Sequence, residues 1–494
     1  MDIKKPSKKI KLAALTALTV LVCACAPDLG LDNPQTPSGG GTGSTSQGGG
    51  STSQGGGSGS DGGFKAEEGL EWLFSGNDIP EFHLEVSLAE WNRLLGEFDK
   101  NENTSEYIHA DVLCNKGEEK TRIGDIGLRL KGNTSRRRPE GNQGMMHTAG
   151  QTDWHHCHYQ LNFTKYNKDL AHELHGVKKL YLKWFKDDPM YVREVFCFDL
   201  FRRVGVWTAP HSAYCRLWIK VAGDPSETYL GVYNMIELID GRYANARGKQ
   251  FAFKDGFLWK CSYGASLSDA SDHLIGNDGS DKAYELKTQT AEYSAAKAQL
   301  QDFIKKVAGK EDESFKTWIV EVCDVELLLK TYAVNVAVGM WDDYWKNKNN
   351  YYLYFNSKDL YTYKIFFIPY DYDNTLGTSY LDMDAGRQDP LNWGDNSNPL
   401  IYKLLKHEEF RKIYKDALLS LVDPVAGEFY YTRSMARIRE WHSKIENYIS
   451  NDTGEEMKIE DRPASFGNHS EYRLLEDINN FFKIRAEAIE RYCR

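Results

Sequence analysis

Asp342, Asp343, Asn347, Asn349 and Asn350 fall within nine residues, and Asp371, Asp373 and Asn374 fall within four. The first group leaves an apolar stretch ending at Gly339 and enters the aromatic-rich segment Tyr351 to Tyr354; the second follows the apolar run Ile365 to Tyr370 and ends at Gly377. Carboxylates and amides so arranged gather at adjacent strand ends. Hard oxygen ligands there suit Mg²⁺, which takes one or two carboxylates, phosphate oxygens and waters. Singly, each Asp or Asn is an ordinary turn residue. Two acidic clusters at either end of one hairpin favour the metal reading.

The elements that must position these groups fall into two halves. In the first, Phe82 to Val86 alternates as a strand, and Ser87 with Glu90 forms a capping box before a helix that turns Trp91, Leu94 and Leu95 to one face. Tyr107 to Cys114, Ile126 to Lys131, His158 to Phe163, Lys179 to Trp184, Ser212 to Val221 and Tyr229 to Ile239 have strand character. Asp188 and Pro189 read as the N-cap and first position of a helix reaching Val204. In the second half, Ala291 to Val307, Ser314 to Trp341 and most of the chain from Pro399 read as helix, with one hairpin of Tyr351 to Phe355 and Lys364 to Tyr370. This is an α+β pattern. Its order resembles a protein kinase: an antiparallel sheet with one helix as a small lobe, then a mainly helical large lobe carrying a β-hairpin.

The residues make the resemblance specific. Leu128 to Ser135 (with Lys131, Gly132 and Asn133), Asp188 to Glu194, Gly231 to Glu237, Asp342 to Tyr354, and Pro369 to Asp373 with Gly377 occur in order over about 250 residues. As an ordered set they are similar to the CotH (spore coat protein H) kinase family, an atypical protein-kinase-like group. That resemblance implies ATP and Mg²⁺ as cofactors and phosphorylation of a hydroxyl on a protein, Ser or Thr first, or on a glycan. Phosphoryl transfer needs a positioned hydroxyl, metal-neutralised phosphates and a cation on the phosphate chain. The resemblance makes Asp342, with Asp343 beside it, the catalytic-loop acid. Asn347, five residues on, and the pair Asp371 and Asp373 become the metal ligands, with Asn349 and Asn350 also open to the Asn role. Lys131, sharing a strand face with Arg129, becomes the phosphate-binding cation. Glu194 is expected to pair with Lys131, and Glu237 to lie at the cofactor.

The chain lacks GxGxxG, His-Arg-Asp and Asp-Phe-Gly, and it has Lys183, Trp184 and Phe185 where the family usually has Asn. Asp371 and Asp373 also resemble the first motif of haloacid-dehalogenase-type phosphatases, but that fold needs parallel strands after the motif, and mostly helical sequence follows. Walker A, GxSxG and HExxH are absent, and His172 and His175 have the wrong spacing for a zinc helix. His155, His156 and His158 have no second ligand set in the sequence, which points to structural roles. Asp382, Asp384 and Asp389 form a weaker calcium-loop candidate. The alternative to an active kinase is a CotH-like envelope scaffold, or glycan- or protein-binding module, without catalysis.

Residues 1–24 read as a lipoprotein signal peptide: five lysines, then an apolar run from Leu12 to Val22 too short to span a membrane. Val22 to Cys25 resembles a lipobox, so Cys25 is expected to be lipidated. Residues 25–63 form a tether with almost no apolar residue and a seven-residue Ser/Thr/Gln/Gly repeat at 44–50 and 51–57. Residues 64–494 remain for the kinase-like domain, divided near 240 and 241. The expected address is the cell envelope outside the cytoplasm, on the outer membrane, with the membrane itself a partner through the anchor. The formal charge of −10 becomes about −14 without the basic leader, which argues against nucleic acid as a partner. Seven scattered cysteines follow Cys25 and read as mostly buried thiols with at most one or two disulfides.

Overall fold

A computed structural model describes residues 66–494 apart from 133–134, 170–172, 254, 380–382 and 465–470. The leader, Cys25, the tether, Asn133, His172 and Asp382 lie outside the described residues. The first half contains α1 (Ala66–Phe74), β1 (Glu81–Val86), α2 (Leu88–Lys100), β2 (Ile108–Lys116), β3 (Glu119–Lys131), β4 (His158–Asn162), β5 (Lys179–Lys183), α3 (Arg193–Arg203), β6 (Ser212–Val221) and β7 (Thr228–Glu237). Each predicted strand and both helices are present. Ser87 caps α2 by accepting from the Glu90 amide, and Trp91, Leu94 and Leu95 are buried.

The expected bilobal kinase-like fold, with an antiparallel sheet and one helix as its small lobe, is corrected by the topology. The seven strands close into a barrel in the order β1-β2-β3-β4-β5-β7-β6. Closure comes from a parallel pairing of β1 with β6. A register shift at Ala110 and Val112, and another at Leu217 and Trp218 facing Gly231, let the sheet curve. Apolar residues of alternating parity, among them Leu128, Leu130, Tyr159, Leu161, Leu180 and Leu182, fill the interior. The helix assigned to that lobe joins a different core. Phe196, Cys197, Leu200 and Phe201 of α3 pack with the helical half, because burial on nearly every side of α3 leaves the barrel no exclusive claim on it. This arrangement is not a typical bilobal kinase fold.

Helix α3 also begins later than Asp188-Pro189 suggested. Its first residue is Arg193, yet Asp188 still does the capping, its carboxylate accepting from the amides of Val192 (2.8 Å) and Arg193 (2.7 Å).

The second half contains α4 (Gly241–Ala246), α5 (Gly248–Phe251), β8 (Phe257–Cys261), β9 (Ile275–Gly276), β10 (Tyr284–Leu286), α6 (Tyr293–Gly309), α7 (Asp312–Val322), α8 (Val325–Ala337), α9 (Tyr344–Asn347), β11 (Tyr351–Phe355), β12 (Ile365–Pro369), α10 (Pro399–Lys406), α11 (Glu408–Leu421), α12 (Tyr431–Ile445) and α13 (Phe481–Cys493). The single long helix expected over 314–341 is broken at Asp324, which caps α8. The predicted hairpin is β11 and β12, but it sits in a five-stranded sheet ordered β12-β11-β8-β10-β9. Strands β8 to β10 went unread because they are short and buried throughout, so they carry no alternation. One face of this sheet packs on the helices and the other on α4 and α5. All seven described cysteines are buried thiols, and no helix among the described residues is long and apolar enough to cross a membrane.

Candidate functional site

The hairpin brings the two acidic clusters together. Tyr351 at the start of β11 pairs with Pro369 at the end of β12, so Asn350 and Tyr370 leave the sheet side by side. Helix α8 enters from behind, and its Asn335 donates to Asp343 (2.7 Å) while accepting from the Tyr372 hydroxyl (2.7 Å). Asp343 is therefore held beneath the loop, where it also caps α9 through the Lys346 amide. Burial pushes its carboxyl up to about 7 against those hydrogen bonds.

Asp342 faces the other way and accepts from three side-chain amides: Asn347 (2.5 Å), Asn349 (3.1 Å) and Asn350 (3.0 Å). Both oxygens are thus oriented, a geometry that fixes a carboxylate toward one direction. Burial first, and then the charge of Asp371, pushes the Asp342 carboxyl upward, against the three amides. The acid loops therefore sense one another. Asp371 itself has φ +62°, a left-handed conformation that is costly outside glycine and gathers at sites the surrounding fold over-determines.

The cation at the centre is Lys183, at the end of β5. Its ammonium lies 3.0 Å from Glu194, 2.5 Å from Asp371 and 3.0 Å from Asp373. This corrects the expected pairing of Lys131 with Glu194. Parity decides it: Leu180 and Leu182 point into the barrel, so Tyr181 and Lys183 point out toward α3 and the Asp371 loop. The missed signal was this alternation beside the Asp188 motif, in the very segment where the family comparison marked a departure. Glu194 is fixed further by Asn234 (3.1 Å) and by the Tyr372 amide (3.1 Å).

One ammonium cannot neutralise three carboxylates. Burial opposes the charge on Lys183, but Asp371, Asp373 and Glu194 outweigh it and hold its pKa well above that of an ordinary lysine. The same crowding acts in the opposite sense on the acids. Burial, then Asp371 and Glu194, push Asp373 up to about 8 although Lys183 pulls it down. Glu194 is likewise raised, by burial first. The lysine stays charged, and the surplus negative charge is relieved by a proton or by a second cation. The folded chain thus holds a proton that the unfolded chain has lost between about pH 4 and 8, so this group makes stability fall as pH rises through that window. Asp373→Asn should melt higher than wild type at pH 8 and lose that part of the pH slope; a lower midpoint at pH 8 would contradict the assignment.

Lys131 and Arg129 line the same outer face of the barrel wall rather than the acid cluster. The Lys131 ammonium sits 4.2 Å from the centre of the Tyr181 ring. Burial, followed by the charges of Arg129, Lys260 and Lys287, drives its pKa well down. Arg129 donates to Gln160 (2.8 Å), and burial and then Arg136 lower it too. Lys260 belongs to β8, so basic groups face each other from both sheets. Acidic groups thus gather at the end of β5, and buried basic groups lie along the barrel wall beside them.

Other sequence candidates fall elsewhere. Glu237 binds Arg247 (2.7 Å from each oxygen) and His211 (2.8 Å), which hold its pKa down despite burial. It ties the end of β7 to α4 and α5. Asp384 contacts Arg387 and Tyr472, while Asp389 accepts from the Leu391 amide, so they do not converge on an ion. His156 does have the second ligand set the sequence did not reveal, Glu455 and Glu456, which with it form the only His/Cys/Asp/Glu trio among the described residues near enough to share an ion. Arg137 already clamps Glu455 there (2.8 and 2.9 Å).

The carboxylates around Lys183 surround an ammonium rather than a common point. Mg²⁺ needs only one or two of them with phosphate and water oxygens, and the excess charge on Asp371 and Asp373 is of the sign a divalent ion relieves. The donor set fits that ion.

Comparison with curated proteins finds no match. A family model described as CotH kinase protein matches residues 128–489, a span that takes in the end of β3, the Lys183 cluster, both acid loops and most of the C-terminal helices. The chain belongs to the CotH kinase protein family.

Proposed function

We propose that the chain is a phosphotransferase that moves the γ-phosphate of ATP, with Mg²⁺, to a hydroxyl of protein Ser or Thr or of a glycan. The observation that carries this reading is the convergence of Glu194, Asp371 and Asp373 on Lys183, beside an Asp342 oriented by three amides. Such chemistry depends on positioning and charge rather than on a covalent intermediate. Asp342 would receive the acceptor hydroxyl and draw its proton. Asp371 and Asp373 would hold the metal, and Asn347, whose amide nitrogen is committed to Asp342, offers its oxygen to the same ion. Lys183, released in part from the carboxylates by that ion, would contact the phosphates, with Arg129 and Lys131 along the basic wall. Asp343 keeps the loop in shape from below.

We also infer that the domain works in the cell envelope, anchored to the outer membrane by lipid on Cys25 and carried on the 25–63 tether. A diacylglyceryl group on the N-terminal peptide, found by mass spectrometry, checks the anchor. The activity is tested by melting the protein with nucleotide and metal. Mg²⁺ and ATP together should stabilise it by about 2.7 kcal/mol at one hundred times Kd, with a smaller effect of ATP alone. Absence of any shift with every nucleotide tried would end the kinase reading.

A further inference from the structure

The outer face of the barrel wall carries a third polar group between the two lysines. Lys131 on β3 is the register partner of His158 on β4. One residue on from the pair of Tyr159 with Leu182, His158 stands beside Lys183 on β5. Interior parity belongs to Leu130, Tyr159 and Leu182, so Lys131, His158 and Lys183 form one row on the outer face of the barrel wall. Tyr181 ties the row together: the His158 ring meets it edge-on at 5.7 Å between centroids, and the Lys131 ammonium lies over it.

The protonation pattern of His158 follows from one hydrogen bond. The backbone amide of Trp184 can only donate, and it points at His158 Nδ1 (3.1 Å). Nδ1 is therefore the lone-pair nitrogen, and the ring proton is on Nε2. No group among the described residues accepts from Nε2. Burial first, then the charges of Lys183, Lys186 and Lys131, hold the imidazole well below its usual pKa. Gly132 packs closely on that side: a Cβ there would come 2.6 Å from Ser135 Oγ and 3.0 Å from the ring carbon Cδ2 that adjoins Nε2.

We propose that His158 is a ligand-binding residue, a neutral hydrogen-bond donor whose Nε2–H contacts a phosphate oxygen held between Lys131 and Lys183. The inference rests on the phosphotransfer reading and extends it to a residue in no acid loop. A neutral donor suits this place: a third cation between two lysines would be repelled, whereas an N–H adds direction at no charge cost. The ligand class is the polyphosphate chain of a nucleotide.

Two substitutions separate the two nitrogens. His158→Asn can still accept from the Trp184 amide but has no group at the Nε2 position; His158→Gln can still reach with a donor. Using the full chain, calorimetric titration with Mg²⁺-ATP and with inorganic tripolyphosphate should give affinities about tenfold weaker for His158→Asn and within about twofold of wild type for His158→Gln, in line with loss of one hydrogen bond to a charged acceptor. Both variants lose the ring contacts with Tyr181 and Trp184, so their affinities are compared at a temperature below every unliganded melting point. ¹⁵N NMR of the wild type should show Nε2 protonated and Nδ1 not. The inference is overturned if His158→Asn binds like wild type, if His158→Gln is as weak as His158→Asn, or if NMR finds Nδ1–H or an imidazolium. Wild type that takes tripolyphosphate but not Mg²⁺-ATP defeats the nucleotide reading alone, with the His158→Asn result still deciding the row. Wild type that binds neither probe defeats both.

Discussion

Lys183→Met should cost the protein both stability and activity, and the stability loss should grow with pH. The side chains of Lys183 and Glu194 are only 7% and 5% exposed, while Asp371 and Asp373 remain about a third exposed. Removing the ammonium leaves three carboxylates facing one another, and breaking a buried pair by deleting one partner typically costs about 3–5 kcal/mol. At acid pH the carboxyls can take up protons and soften the loss, an escape that fades as pH rises toward and past the raised Asp373 value of about 8. Melting curves of wild type and variant from pH 5 to 8 should therefore diverge. The double variant Lys183→Met, Glu194→Gln should recover part of the stability because one negative charge leaves with the lysine. Phosphate transfer should fall by about 10²–10³, the usual cost of deleting one preorganised group that stabilises developing charge, and the double variant should not regain it. A Lys183→Met protein as stable as wild type at pH 8 would mean the cluster is not the electrostatic knot described.

The second large effect separates the two acid loops. Asp342→Asn should leave Mg²⁺-dependent nucleotide binding within a few-fold of wild type and reduce transfer by about 10²–10⁴, the range for loss of a positioned acid–base group. The isosteric amide can still accept from Asn347 and Asn349 through one oxygen, loses the Asn350 bond, and removes the acceptor for a proton. Asp371→Asn should do the reverse at the binding step, abolishing the extra thermal shift that Mg²⁺ gives to ATP, because the residue meets Lys183 and is itself the charge that raises Asp342. Single-turnover transfer and metal-dependent melting on the same preparations distinguish the roles. If Asp342→Asn lost binding and transfer together, Asp342 would belong with the metal ligands.

The left-handed turn at Asp371 and the surplus charge on Asp373 show how this site is held. Backbone strain and like-charge crowding are tolerated because strand β12 fixes one side of the loop and the Thr375 carbonyl, clasped by buried Arg193 (3.1 Å), fixes the other. Arg193 is itself locked by Asp188 (2.5 Å). The family motif from Asp188 to Glu194 thus serves twice: Asp188 and Arg193 brace the acid loop, and Glu194 meets the lysine.

Much of this was legible in the residue order. Seven strands, the capped helix after Ser87, the hairpin at 351–369 and the meeting of the Asp342 and Asp371 loops all follow from short-range signals: alternation, helical spacing and turn chemistry over a few residues. These act within one element or between strands joined by a tight connection, so a linear reading reaches them. The ordered motifs of the CotH family are legible for the same reason.

The tertiary structure alone decided two matters. The first is closure of the barrel, because pairing of β1 with β6 joins residues 81–86 to 216–221, and no local periodicity records which distant edge a strand will find. The second is the identity of the lysine that meets Glu194. Lys131 and Lys183 are both strand-end lysines of outward parity; β5 ends where α3 and the Asp371 loop converge, whereas β3 ends against Tyr181 and the basic wall. The sequence determined which residue types could do the chemistry. Only the packing of barrel, α3 and hairpin determined which of them share a charge.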